Sequence, residues 1–152
     1  MSGHQDRHKA IVAVYGIFRK GSKILLIRRA NTGYMDGRYS LPAGHVEPGE
    51  GAIRCLLREM QEEVGVRINT DDVKFVHCNL LLDYIAKDHE RIHLFLEATK
   101  WQGKPRNMEP HKCDDLRWFD IDNLPSNLAT ELINPMQLIK QGVVYIEHNF
   151  NT

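Results

Sequence analysis

GHVEPGEGAIRCLLREMQEEVGV, Gly44 to Val66, decides how this chain is read. Its second half carries a helical period: Ile53, Leu56, Leu57, Met60 and Val64 recur every three or four residues. That spacing predicts a helix over Gly51–Val64 with Gly65 as its stop. The first half holds Gly44, Pro48, Gly49 and Gly51 and has no such period, so it predicts a loop. On the helix, Glu59, Glu62 and Glu63 share one flank. At about 100° per residue the apolar stripe centres near Ile53, Leu57 and Val64, with Glu59 and Glu63 at its edge and Glu62 beside Glu59. Like charges three and four residues apart repel. A divalent cation reverses that cost, and an oxygen-only cluster suits Mg²⁺, Mn²⁺ or Ca²⁺ rather than Zn²⁺. Arg58 is placed to orient a carboxylate by charge-assisted hydrogen bonds. Taken alone, REMQEEVG also reads as the solvated face of an ordinary helix.

Upstream, KAIVAVYGIF (Lys9–Phe18) and KILLIRR (Lys23–Arg29) flank RKGSK and predict a β-hairpin. From 30 to 51 the chain is irregular, with glycines at 33, 37, 44, 49 and 51 and prolines at 42 and 48. A loop that long in a small domain is usually functional. Downstream, Val73–Tyr84 and Ile92–Trp101 predict strands, LRWFDI (Leu116–Ile121) a short strand, and Thr130–Gln141 a helix. Pro135 kinks that last helix, or starts its second part after an Asn134 cap. With no internal repeat or low-complexity tract, the 152 residues are expected to form one mixed α/β (α+β) domain spanning 1–152.

Composition narrows the function. Lys+Arg and Asp+Glu both number 20, so no global charge draws the chain to nucleic acid or membrane. Apolar runs such as Asn79–Asp83 are far too short to span a bilayer. MSGHQDRHK at the N-terminus lacks the apolar stretch of a secretory signal, so the expectation is cytoplasmic. Cys55, Cys78 and Cys113 show neither CxxC spacing nor an even count and read as reduced thiols. The alternating Asp/Asn loop of an EF-hand is missing, which disfavours a structural Ca²⁺ domain.

Taken together, 44–66 resembles the Nudix box: Gly, five residues, Glu, seven residues, Arg-Glu, a bulky apolar residue, any residue, Glu-Glu, any residue, Gly and a bulky apolar residue. Gly44, Glu50, Arg58, Glu59, Met60, Glu62, Glu63, Gly65 and Val66 fill every specified position. At average residue frequencies the chance of that match at one start point is on the order of 10⁻⁹. The resemblance implies a mixed β-sheet sandwiched between α-helices. It also implies Mg²⁺-dependent hydrolysis of a nucleoside diphosphate linked to another group X, with Mn²⁺ able to substitute. By that resemblance Gly44, Glu59, Glu62 and Glu63 are metal positions. Glu59 also orients or deprotonates water, Arg58 holds a glutamate in place, and Glu50 supports the box. Gly51 departs mildly from the family's more usual Ser or Thr cap. The box glutamates are intact, which favours an enzyme over a non-catalytic nucleotide-binding module.

The substrate is less marked. No proline lies between Val66 and Trp101, as an ADP-ribose pyrophosphatase would have, and Leu25–Arg29 lacks the coenzyme A signature. Tyr84, 18 residues past Val66, stands where diadenosine polyphosphate hydrolases often have a tyrosine, but a lone strand tyrosine is more often a packing residue. The remaining resemblance is to MutT-like nucleoside triphosphate pyrophosphatases, acting on ordinary or oxidised nucleotides; nucleotide sugars are a further alternative. The implied partner is then a small-molecule nucleotide, not nucleic acid or membrane, with a monomer or homodimer as the assembly. Expected substrate-binding residues are Tyr34, Tyr39 and Trp118, with Asn31 and Phe119 beside them, and Arg28 or Arg29 at the end of the second strand, of which Arg28 is preferred. By the same family resemblance, the loop RNMEPHKCDD (Arg106–Asp115), just ahead of a late strand, is expected to supply a further carboxylate or base. Glu109 is preferred there over Asp114, Asp115 and His111.

Overall fold

Ile11–Lys20 forms strand β1, and Ala13–Phe18 within it are buried without a break. A strand buried on both faces needs a layer on each side, and both are present. On one face Ala13, Tyr15 and Ile17 pack with Leu41, Phe95, Leu132 and Met136. On the other Val14 and Phe18 pack with Cys55, Leu56, Met60 and Val64. The first face is covered by helix α2 (Thr130–Lys140) and the second by helix α1 (Ala52–Val64). The sheet is therefore sandwiched between helices. The computed structural model describes residues 7–83 and 89–150, so Tyr84 and the first six residues lie outside the described part.

Around β1 the sheet is mixed. β1 runs parallel to β6 (His89–Ala98) and antiparallel to β4 (Ala43–His45). β6 pairs antiparallel with β5 (Val73–Asp83), and β5 takes β8 (Tyr145–His148) in parallel. The end of β1 turns through Gly21 into β2 (Lys23–Arg29), which pairs antiparallel with β3 (Tyr39–Ser40) and β7 (Cys113–Asp120). The expected elements all form, with shifted ends. β1 starts and ends two residues later than its apolar run, because Arg19 and Lys20 pair with Ile24 and Lys23. β7 starts at Cys113 rather than Leu116, because β2 offers it a ladder along its whole length. β3 and β4 lie inside the long loop, and β8 has no expected counterpart. Pro135 sits inside α2, where it can donate nothing to the carbonyl of Glu131.

One rotation matters for the site. The buried face of α1 is Cys55, Leu56, Met60 and Val64, while Ile53 is 41% exposed. Gly16 on β1 sets this: a Cβ there would lie 2.9 Å from Met60 Sδ and 3.0 Å from Leu56 Cδ1. The bare backbone draws those two side chains in, and the helix turns with them. At about 100° per residue, Glu63 then lies about 20° and Glu59 about 60° from Leu56. Both fall within the buried half rather than at its edge.

Candidate active site

β4 crosses that carboxylate face. Its register places Ala43 opposite Tyr15 and Gly44 opposite Val14. The Ala43 N–H donates to Glu63 Oε2 at 3.1 Å. Gly44 passes so near Glu59 that any Cβ there would overlap its carboxyl group, so only glycine is tolerated. Arg58 ties the loop to the helix. Its Nε and Nη2 donate to the two oxygens of Glu50 at 2.8 and 2.9 Å, and Nη1 donates to Glu59 Oε1 at 2.7 Å and Glu62 Oε2 at 3.5 Å. The fork-on-carboxylate pair with Glu50 is the strong element. It holds the Glu50 carboxyl well down, to about 2.

A third segment closes the cluster. The Arg106 N–H donates to the Val64 carbonyl at 3.0 Å and the Met108 N–H to the Glu63 carbonyl at 3.1 Å. These two bonds satisfy carbonyls that the end of α1 leaves open. They also lay the next residue, Glu109, against the acids. Asn107 fixes the turn: its Oδ1 accepts the Glu109 N–H at 3.1 Å, and its Nδ2 donates to the Cys113 carbonyl at 2.6 Å. Burial, then the charges of Glu59 and Glu109, push the Glu63 carboxyl up to about 8. Burial raises Glu59 too, with Arg58 working against it. Groups in clefts with such shifts mark functional sites.

The acids open into a cleft of about 1180 Å³. Glu59, Glu62, Glu63, Glu109, Gly44 and Arg58 all line it. The donor set is hard oxygen, and the raised Glu63 and bare Gly44 fit a small divalent cation. As they stand, no three His, Cys, Asp or Glu side chains among the described residues converge closely enough to hold an ion. Arg58 draws Glu59 and Glu62 to itself, while Glu63 is tied to Ala43. Glu62, with its side chain 56% exposed, meets Arg58 only at 3.5 Å.

The other expected residues divide. Tyr34 and Asn31 line the cleft. Arg28 does not. A bulge between Arg28 and Arg29 passes over Asp114, and Arg28 donates to Asp114 Oδ1 at 2.6 Å. Arg29 instead faces the cleft, its guanidinium 5.6 Å over the Tyr34 ring. Tyr39 is buried against Phe119, its hydroxyl on Asp115, and is a core residue. Trp118 stacks on Trp101, centroids 5.9 Å apart, and lines a separate cavity with Lys104 and Pro105. Of the four loop candidates, Glu109 alone lines the cleft. Asp114 and Asp115 are engaged by Arg28, Tyr39 and Arg117, and His111 is exposed. Sequence reasoning missed Tyr15, Asn79, Arg91, Glu131 and Asn134, which also line the cleft. For Asn79 a signal existed, a polar residue interrupting the apolar strand around Leu80–Leu82. Cys55, Cys78 and Cys113 are free thiols. No helix among the described residues is long and apolar enough to cross a membrane.

The chain is 34% identical over 120 residues to the NAD-capped RNA hydrolase NudC of Stutzerimonas stutzeri (strain A1501), covering 75% of this chain and 38% of that protein. It is 33% identical over 119 residues to the protein of the same name from Chromobacterium violaceum, covering 74% and 39%. The chain thus spans about two-fifths of the length of these curated relatives. Among solved structures, a MutT NUDIX hydrolase from Burkholderia pseudomallei matches with a TM-score of 0.76 at 24% identity, covering 90% of this chain and 100% of that one. The E. coli ORF135 protein matches with a TM-score of 0.73 at 23% identity, covering 88% and 90%. These two likenesses establish the fold. A family model, the NUDIX domain, matches residues 7–139. With box, fold and family model in agreement, the chain belongs to the NUDIX hydrolase family.

Proposed function

We propose that this chain hydrolyses the diphosphate of a nucleoside diphosphate linked to X, with a nucleoside triphosphate, ordinary or oxidised, as preferred substrate and a nucleoside monophosphate and pyrophosphate as products. The observation that carries this reading is the gathering of Glu59, Glu62, Glu63 and Glu109 around one cleft beside the bare backbone of Gly44. Bound there by Glu59, Glu62, Glu63 and the Gly44 carbonyl, Mg²⁺ (or Mn²⁺) would neutralise phosphate oxygens and stabilise the leaving group. The protein's own groups do the rest. Arg58 orients Glu59. Glu59, its carboxyl raised by burial, accepts a proton from an attacking water. Arg29 and Lys112 line the same cleft and would supply positive charge to the outer phosphates. Tyr34 offers a ring for stacking.

Anion-exchange chromatography of the products, run over nucleoside triphosphates, NAD and diadenosine polyphosphates, tests this. Turnover of triphosphates with Mg²⁺ and none in EDTA is expected. Turnover of NAD alone would favour the second reading, a dinucleotide diphosphatase, which is motivated by the relatives named NAD-capped RNA hydrolase. An NAD-capped RNA oligonucleotide added to the panel tests whether nucleic acid is a partner as well.

Glu109 is the loop residue assigned to the reaction, because it lies against Glu59 and Glu63 while His111 faces solvent. Glu109→Gln is expected to lower kcat by about tenfold or more, and His111→Ala to leave it within about twofold. If His111→Ala alone loses the acidic limb of the pH–rate profile, the base is the histidine.

A further inference from the structure

On its α2 side the cleft has a polar floor. Asn79 and His93 are cross-strand partners, His93 pairs with Ala13, and Tyr15 tilts against His93. Asn79 is only 6% exposed, lines the cleft, and its Oδ1 has no hydrogen-bond partner among the described residues. A buried acceptor left unmet is costly, and such groups in native folds call for a ligand, a water or a strained role. Facing this floor from the first turn of α2 is Glu131. Its Oε1 accepts the Tyr15 hydroxyl at 3.3 Å and its Oε2 the Tyr34 hydroxyl at 2.9 Å. A carboxylate has about four lone-pair sites, so two tyrosines fix its direction and still leave it able to accept. Arg91, one step along the same face of β6, lines the cleft and carries only donors.

Two acceptors and a donor set back from the phosphate end match one kind of ring edge. Guanine presents two adjacent N–H donors, N1–H and the 2-amino group, next to a carbonyl. Adenine presents an amine beside a bare ring nitrogen, which would point an acceptor at an acceptor. Hypoxanthine keeps the carbonyl and N1–H but lacks the amine. We propose that Asn79 and Glu131 form a base-specificity subsite that reads the adjacent donors of a guanine-type lactam purine and rejects adenine. The proposal rests on the nucleotide reading above for its substrate class, but not on turnover. A site built to hydrogen-bond a group rejects the analogue lacking it, since its own polar atoms are then left unpaired.

The test is calorimetric binding of GMP, IMP and AMP to the full chain, with kcat/KM for GTP, ITP and ATP measured beside it. GMP is expected to bind about tenfold or more tighter than AMP, with IMP between. Asn79→Leu fills the same space without an acceptor and should bring the three affinities within about threefold. Glu131→Gln, which leaves one oxygen to accept a tyrosine hydroxyl, turns the other position into an N–H donor and so halves the accepting capacity, should narrow the spread in the same direction, and serves if Asn79→Leu fails to fold. Equal affinities for GMP and AMP in the wild type, or a preference for GMP unchanged in both variants, overturns the subsite. Selective GMP binding without hydrolysis of any triphosphate would leave the subsite standing and remove the proposed reaction instead.

Discussion

Glu59→Gln is expected to lower kcat by about 10²-fold or more while the fold persists. Glutamine has the same volume, so the close passage of Gly44 is undisturbed. Arg58 keeps its two bonds to Glu50, which anchor loop to helix without Glu59. The variant loses only a charge and a proton acceptor. In EDTA it should melt at the wild-type temperature or slightly above, because Glu62 and Glu109 no longer face a like charge there. Circular dichroism melts and steady-state kinetics on one preparation separate the cases. A folded variant with unchanged kcat removes Glu59 from the reaction.

Stability without metal should fall as pH rises, and Glu63 should be the main reason. Its carboxyl is raised from 4.5 to about 8 in the folded protein. Below the unfolded value the group is neutral in both states and has no effect. Between that value and about 8 the unfolded chain ionises it and the folded protein does not, so the unfolded state binds fewer protons and stability declines. Above about 8 the loss is complete. For a shift of that size the loss is a few kcal/mol. Chemical denaturation in EDTA from pH 5 to 8.5 should show it, and Glu63→Gln should flatten the decline, because glutamine still accepts the Ala43 N–H without a charge. Millimolar Mg²⁺ should restore wild-type stability near pH 8 through binding linkage and do less for the variant. A wild-type decline that Glu63→Gln does not change would place the titration elsewhere. Glu50 acts in the opposite sense: held low by Arg58, its contribution is present above its ordinary value and is lost only as the pH falls toward about 2.

The box was legible because one helix and its preceding loop carry it, so spacing alone specifies which side chains meet. The helix, the hairpin, the strand order after it and the family fold followed from the same local signals. What stayed hidden depended on partners far away in the chain. The buried face of α1 was misplaced by part of a turn, because its rotation is set by Gly16 on another strand. Period-two alternation points Arg28 or Arg29 into the cleft according to register, and a bulge opposite Asp114 decides for Arg29. Tyr39 and Trp118 are aromatic and lie near the box in space or sequence, but β2 and β7 pack them as sheet residues. The polar floor comes from single residues of β1, β5, β6 and α2, and no spacing joins Tyr15, Asn79, Arg91 and Glu131. Glu109 is the only glutamate of the loop to which the family resemblance points, and Asn107 fixes the turn that carries it.

The central claim, that this acid-lined cleft cleaves a nucleotide diphosphate, is met most directly by following GTP with ³¹P NMR in the presence of Mg²⁺. For the wild type the γ- and β-phosphate signals should disappear together, replaced by pyrophosphate and a monophosphate ester in equal amounts. EDTA should stop the conversion, and Glu59→Gln should slow it about 10²-fold. Release of inorganic phosphate with GDP as the co-product, or conversion at the full rate in EDTA or in Glu59→Gln, would contradict it.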